Sequence, residues 1–124
     1  MASKRILIIE DEKPLREAFA FLLKSEGFDV DMAENGKVAL VKLRAFRPDV
    51  LLLDMLMPVM SGDEFLRRAQ LPTTHPTVKT LMLSNLSDAI SPEDAAAYGV
   101  ADSILKADLS PRQLAMKVKK MLPK

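Results

Sequence analysis

The chain has 124 residues, of which 48% are apolar and 28% charged, with a formal net charge of +1 and no cysteine. That length suits one domain and is too short for two, and the composition is that of a globular chain, not a disordered one. Lack of cysteine excludes a disulfide framework and a thiolate zinc site, and the small net charge gives no general attraction for nucleic acid or a membrane surface.

Lys4 and Arg5 lead into only four apolar residues before Glu10, so no signal peptide is expected and the protein is expected to be cytoplasmic. Those four, Ile6-Leu7-Ile8-Ile9, read as the first strand, which runs into the acids Glu10-Asp11-Glu12. Pro14 suits a first helical turn, and Leu15, Ala18, Phe19, Leu22 and Leu23 follow at helical spacing until Gly27 stops the helix. Phe28 to Ala33 alternates apolar and acidic residues, as an exposed strand near the sheet edge does. Asn35-Gly36 turns the chain and Asn35 caps a second helix, whose expected buried side is Val38, Val41, Leu43 and Phe46.

Val50 to Leu53 is a strand without polar alternation, so both its faces must be covered. It ends at Asp54, followed by Met57-Pro58 and Gly62. Taken alone, an aspartate after a strand is an ordinary turn or cap residue. A third helix opens at Ser61 or Gly62 with Phe65, Leu66 and Ala69 as its apolar contacts, and Pro72 to Pro76 reads as a polar loop around the only histidine, His75, to which no role is given. Val78 to Leu83 is the fourth strand, ending in Ser84-Asn85. Ser91-Pro92 starts a fourth helix, which Gly99 ends; its core of Ala95, Ala96 and Ala97 has good propensity but little apolar surface, so it is expected to be mobile. Ser103 to Leu105 is a short fifth strand ending at Lys106, and Ser110-Pro111-Arg112-Gln113 opens a last helix running to about Leu122. Lys117, Lys119, Lys120 and Lys124 read as the solvated side of that helix, and Met116 and Met121 as candidates for a partner surface. No stretch is long and apolar enough to insert in a membrane.

Five strands alternating with five helices predict an α/β fold: a doubly wound, five-stranded parallel sheet, flavodoxin-like, with strand order 2-1-3-4-5. In that order strands one and three are neighbours, so Glu10 and Asp11 come beside Asp54, with Ser84 and Lys106 at the adjoining strand ends. Crowded carboxylates must take up protons or a cation. Oxygen-only ligands with room for water suit Mg²⁺, and a hydroxyl, an ammonium and a metal around one carboxylate suit a phosphoryl group.

On the acidic pair Glu10-Asp11, the acceptor-like Asp54, Met57-Pro58 with Gly62, Ser84 and Lys106, the chain resembles the receiver domain of two-component response regulators over essentially its whole length. The resemblance implies one receiver domain over residues 1–124, in which Asp54 takes a phosphoryl group from a phosphohistidine of a histidine kinase or phosphotransfer protein; because the sequence ends with the fifth helix, a stand-alone domain is expected. It implies Mg²⁺ held by Asp11, Asp54 and the backbone carbonyl of Leu56, with Glu10 acting through water, while Ser84 and Lys106 engage the phosphoryl oxygens. It further implies a phosphoacceptor switch, not an enzyme, that acts on a downstream protein target; from the small net charge, no nucleic-acid partner is expected. Ser103 stands where the family carries its switch aromatic, and Ala107 where it carries a proline after the lysine; a trans Lys106–Ala107 bond is therefore expected, with some rearrangement of the following loop. Apolar Leu56 and Leu86, two residues past Asp54 and Ser84, predict slow self-dephosphorylation. Two other readings compete. A receiver-like module that only mediates protein contacts is supported by Ser103 and Ala107. A phosphatase with a nucleophilic aspartate is disfavoured because Leu56 occupies the position of its general acid. No glycine-rich loop follows strand one, which excludes nucleotide binding of that type.

Overall fold

In the computed structural model, which describes residues 3–85 and 90–122, β1 (Arg5–Ile9) pairs in parallel with both β2 (Asp29–Ala33) and β3 (Val50–Asp54). β4 (Lys79–Ser84) and β5 (Val100–Leu105) extend the sheet to the order β2-β1-β3-β4-β5, as predicted. The helices are α1 (Lys13–Ser25), α2 (Gly36–Phe46), α3 (Gly62–Ala69), α4 (Pro92–Tyr98) and α5 (Pro111–Met121). Ile6, Leu7, Ile8 and Ile9 are all 0% exposed, because alternate residues feed two cores. Ile6, Ile8, Leu52 and Leu83 pack under α1 and α5 with Phe19, Leu23, Leu114 and Val118. Leu7, Ile9, Leu51 and Leu53 pack on the other side with Ala39, Leu43, Phe65 and Leu66 of α2 and α3. Double coverage is why the central strands read as unbroken apolar runs.

Helix starts follow the sequence signals. Asn35 accepts a hydrogen bond from the Val38 amide at 2.9 Å, and Ser61, Ser91 and Ser110 accept from the amides of Glu64, Asp94 and Gln113 at 3.1, 3.0 and 3.2 Å. Gly27 and Gly99 stop α1 and α4 in the left-handed region, at φ 94° and 79°.

Several boundaries differ from the sequence reading. β5 begins at Val100, not Ser103, and Ala101 bulges out between the Thr80–Val100 and Leu81–Asp102 pairs. Asp102 could join the strand because Lys117 of α5 pairs with it at 3.0 Å. The loop around His75 contains a helical turn, Leu71–Thr74, anchored by buried Leu71 and by the Thr74 hydroxyl donating to the Ala69 carbonyl at 2.8 Å. On α2, Leu43 is buried and Val38 and Phe46 pack against the core as expected, but Val41 is 70% exposed, and Gly36 and Ala39 complete the buried side. Small residues are needed there: a Cβ on Gly36 would lie 2.9 Å from the Met60 sulfur. Lys117 and Lys119 are not simply solvated, since Lys119 pairs with Glu26 of α1 at 2.7 Å and both tie α5 down. Met116 is exposed but Met121 is buried. α4 buries no residue, in line with its alanine content. Among the described residues no peptide bond is cis, so Lys106–Ala107 is trans as expected, and Lys106–Asp108 forms one 3₁₀ turn. No helix of the described residues is long and apolar enough to cross a membrane.

The turn after β3 depends on one glycine. Gly62 donates its amide to the Met55 carbonyl at 3.1 Å, and a Cβ there would fall 2.7 Å from the Met55 Cα and 2.8 Å from the Asp54 carbonyl oxygen. Those neighbours are backbone and cannot swing aside. Gly62→Ala is therefore expected to destabilise the fold by ~1–3 kcal/mol, read as a lower urea midpoint; an unchanged midpoint would show that the loop has slack.

Candidate functional site

The parallel register brings four chemically active side chains to one end of the sheet. Ile9 pairs with Leu53, Asp54 with Leu83, and Ser84 with Leu105, so Glu10, Asp54, Ser84 and Lys106 sit at the carboxyl ends of adjacent strands. Glu10 is held by its amide, which donates to the Ala33 carbonyl at 3.1 Å, and its Oε2 accepts from the Glu12 amide at 3.2 Å. Asp54 is wholly buried; its Oδ1 accepts from the Leu56 amide at 3.0 Å and pairs with Lys106 Nζ at 2.9 Å. Ser84 is buried too, one residue beyond the Leu83 that pairs with Asp54.

Carboxylate oxygens of Glu10, Asp11 and Asp54 all lie within 4.8 Å of one another. One ammonium faces these three acids. Among the described residues Glu10 Oε1 and Asp54 Oδ2 are buried with no hydrogen-bond partner, and a buried polar atom left so costs ~1–3 kcal/mol. Two orphaned oxygens aimed into an all-oxygen acidic pocket fit a hard divalent cation such as Mg²⁺.

The electrostatics agree. Burial pushes the Glu10 carboxyl from its usual 4.5 up to about 8, helped by the close Asp54 and Asp11 carboxyl groups and the Asp54 charge, and opposed by the Glu12 amide. For Lys106 burial acts downward, but the hydrogen bond and charge of Asp54, with Glu10 and Glu12 adding, outweigh it and hold the ammonium above its usual range. Elsewhere, the Asp102 carboxyl is raised by burial but brought below its usual value overall by the Lys117 hydrogen bond and charge, the Ser103 amide and Lys120.

The structure brings together five of the six residues singled out in the sequence through their side chains. The sixth, Leu56, lies at the mouth with an exposed side chain (63%), its backbone amide on Asp54. Val59, also exposed, has a left-handed φ of 70°, unusual for a β-branched residue. His75 lies at the opposite end of the sheet, before β4, with Nδ1 2.9 Å from the Thr74 hydroxyl. Ser103 is exposed on β5, beside a cavity of about 150 Å³ lined by Met82, Ile90, Ala95 and Val100. Leu86 lies outside the described residues. Arg16 was missed altogether: its Nη1 donates to the carbonyls of Glu10 at 2.8 Å and Asp11 at 3.2 Å. An arginine that serves backbone carbonyls leaves no charge partner to spot in a sequence.

Glu10 fixes how metal-free stability depends on pH. Its folded pKa lies above the unfolded one, so folding takes up a proton between pH 4.5 and about 8. The stability it contributes is complete below pH 4.5 and is lost as the pH rises through 8. Lys106 is also raised, but above 10.5, so its contribution is constant over pH 5–9. Urea unfolding in EDTA is expected to show the protein losing stability from about pH 5 to pH 8 and levelling off above that, with Glu10→Gln flattening the slope. Equal slopes for the two proteins would contradict the placement of Glu10.

Comparison with known proteins gives the same result as the geometry. The response regulator receiver domain family matches residues 6–119. The transcriptional regulatory protein CreB of Escherichia coli (strain K12) is 32% identical over 122 residues, covering 98% of this chain and 52% of CreB. The chain thus spans about half the length of the curated relatives it matches. Among solved structures, chemotaxis protein CheY4 of Vibrio cholerae superposes with a TM-score of 0.84 at 28% identity, covering 98% of this chain and 100% of CheY4. The response regulator TrrA of Thermotoga maritima, in complex with Mg²⁺-BeF, superposes with a TM-score of 0.79 at 31% identity, over 96% and 99% of the two chains. With matching fold, strand-end acids and family profile, this chain belongs to the response regulator receiver domains.

Proposed function

We propose that Asp54 accepts a phosphoryl group from a phosphohistidine on a histidine kinase or phosphotransfer protein. The observation that carries this reading is the state of the Asp54 carboxylate: Oδ1 is taken by Lys106 and the Leu56 amide, while Oδ2 is buried and free. Lys106 and the Leu56 amide occupy one oxygen and leave the other as nucleophile. In the transfer, a bond forms between Oδ2 and phosphorus as the phosphorus–nitrogen bond of the donor breaks, and the imidazole keeps that electron pair. Asp11 and Asp54, with the Leu56 carbonyl and with Glu10 through water, would hold Mg²⁺, which neutralises the acids and the incoming phosphoryl oxygens. Ser84 and Lys106 would steady the phosphoryl group, a role in which removing one donor typically costs ~10²–10³ in rate. The TrrA complex, named for Mg²⁺-BeF, supports this reading for a chain of the same fold.

On this reading the domain is a switch, not an enzyme with an external product, and it signals to a downstream protein target through a shifted population of surfaces. The expectation of no nucleic-acid partner rests on the net charge alone, and the chain's relative CreB is by name a transcriptional regulator. A second reading, a receiver-like module that binds proteins without phosphorylation, is favoured by exposed Ser103 and the adjacent cavity.

Acetyl phosphate with Mg²⁺ is expected to add one phosphoryl group, read by intact mass. Asp54→Asn should abolish it and Lys106→Ala should slow it ~10²–10³-fold. No uptake by the parent protein would leave the binding-module reading standing. Exposed, apolar Leu56 cannot orient a hydrolytic water, so the phosphoryl group is expected to persist for minutes to hours; its loss within seconds would contradict that.

A further inference from the structure

The Arg16 side chain reaches back from α1 into the loop that carries Glu10 and Asp11. Its Nη1 donates to the Glu10 carbonyl at 2.8 Å and to the Asp11 carbonyl at 3.2 Å. A guanidinium nitrogen carries two hydrogens in one plane and can serve both acceptors at once. In the trans peptide between Asp11 and Glu12 the carbonyl and the amide point in opposite directions. Turning the Asp11 carbonyl toward Arg16 therefore turns the Glu12 amide away from it, and that amide donates to Glu10 Oε2 at 3.2 Å. The second carboxylate oxygen, Oε1, is left buried and partnerless beside Asp11 and Asp54. Glu12, the α1 cap residue, makes no side-chain cap bond that could do the same work.

We propose that Arg16 is a positioning residue: by gripping two loop carbonyls it fixes the peptide that holds one oxygen of Glu10 and so aims the other at the cation pocket. The inference rests on the magnesium reading of that pocket. Its logic is that of an outer partner orienting a metal ligand, where loss typically weakens metal binding ~10–100-fold. Charge alone predicts the opposite sign. A fixed cation near the pocket repels Mg²⁺, so a purely electrostatic Arg16 would bind metal more tightly once neutralised.

Mg²⁺ titrations at constant ionic strength, followed by amide NMR shifts, separate these outcomes. Arg16→Gln is expected to weaken Mg²⁺ binding about tenfold. In a Glu10→Ala background the same change should matter less than twofold, because the ligand it positions is gone. Tighter binding, unchanged binding, or an equal loss without Glu10 would overturn the proposal. A second arm needs no metal. In EDTA, hydrogen exchange of the Glu12 amide should quicken at least several-fold in both Arg16→Gln and Glu10→Ala, while the Leu52 amide of β3 stays protected. An unchanged Glu12 exchange rate in Arg16→Gln would overturn the proposal by itself. If the parent protein fails to bind Mg²⁺, the functional reading falls, and the exchange arm still decides what Arg16 does. Should Arg16→Gln not fold, Arg16→Lys, which keeps the charge but loses the planar fork, takes its place with the same expected directions.

Discussion

The ion pair between Lys106 and Asp54 is the interaction around which the site is built. It joins the ends of β5 and β3 across the intervening β4, at 2.9 Å, with Asp54 wholly buried. A buried pair of this kind adds little net stability, because desolvation offsets most of the attraction, but removing one partner leaves an uncompensated charge. Here the compensation is incomplete even with both partners present. Glu10 and Asp11 add two more carboxyl groups to the same pocket, and the Glu10 pKa is raised first by burial and then by that crowding. The fold tolerates it because its stability comes from elsewhere, from two apolar layers on either side of the sheet.

That division of labour explains what the sequence revealed. Strands covered on both faces leave long apolar runs, so β1 and β3 stood out, and the charged residues that ended them marked the functional edge. Helix caps at Asn35, Ser61, Ser91 and Ser110 were legible because each uses a local bond three residues ahead. β5 was only half legible: the Asp102 that interrupts its apolar pattern is paired by Lys117, a contact between residues far apart in the chain. Val41 was misplaced for a related reason. Apolar spacing fits either side of α2, and only the close approach of Met60 to Gly36 decides which side faces the core. Of the site, the acids, Ser84 and Lys106 could be named from residue types at strand ends. Arg16 could not, since its partners are carbonyls that every residue carries.

The face that would carry a signal is less conventional than the pocket. Ser103 is exposed beside a small cavity, and α4 lies over it with no buried residue of its own. A helix so lightly packed has little to hold it in one arrangement, and segments with few buried apolar contacts open at low free energy. Lys117, which donates to both Asp102 and the Ser103 carbonyl, instead fastens α5 to β5 at 3.0 and 3.3 Å. α5 is thus tied to β5 by a charged side chain, whereas α4 rests there with no buried residue of its own.

On the proposed reading, three acids share one pocket because a divalent cation joins them there. Anomalous diffraction at the manganese absorption edge, from crystals equilibrated with Mn²⁺ in place of Mg²⁺, tests this directly. The account predicts a single strong peak between the Asp11 and Asp54 carboxylates. No peak at that position, or manganese bound only at acids elsewhere on the surface, would contradict it.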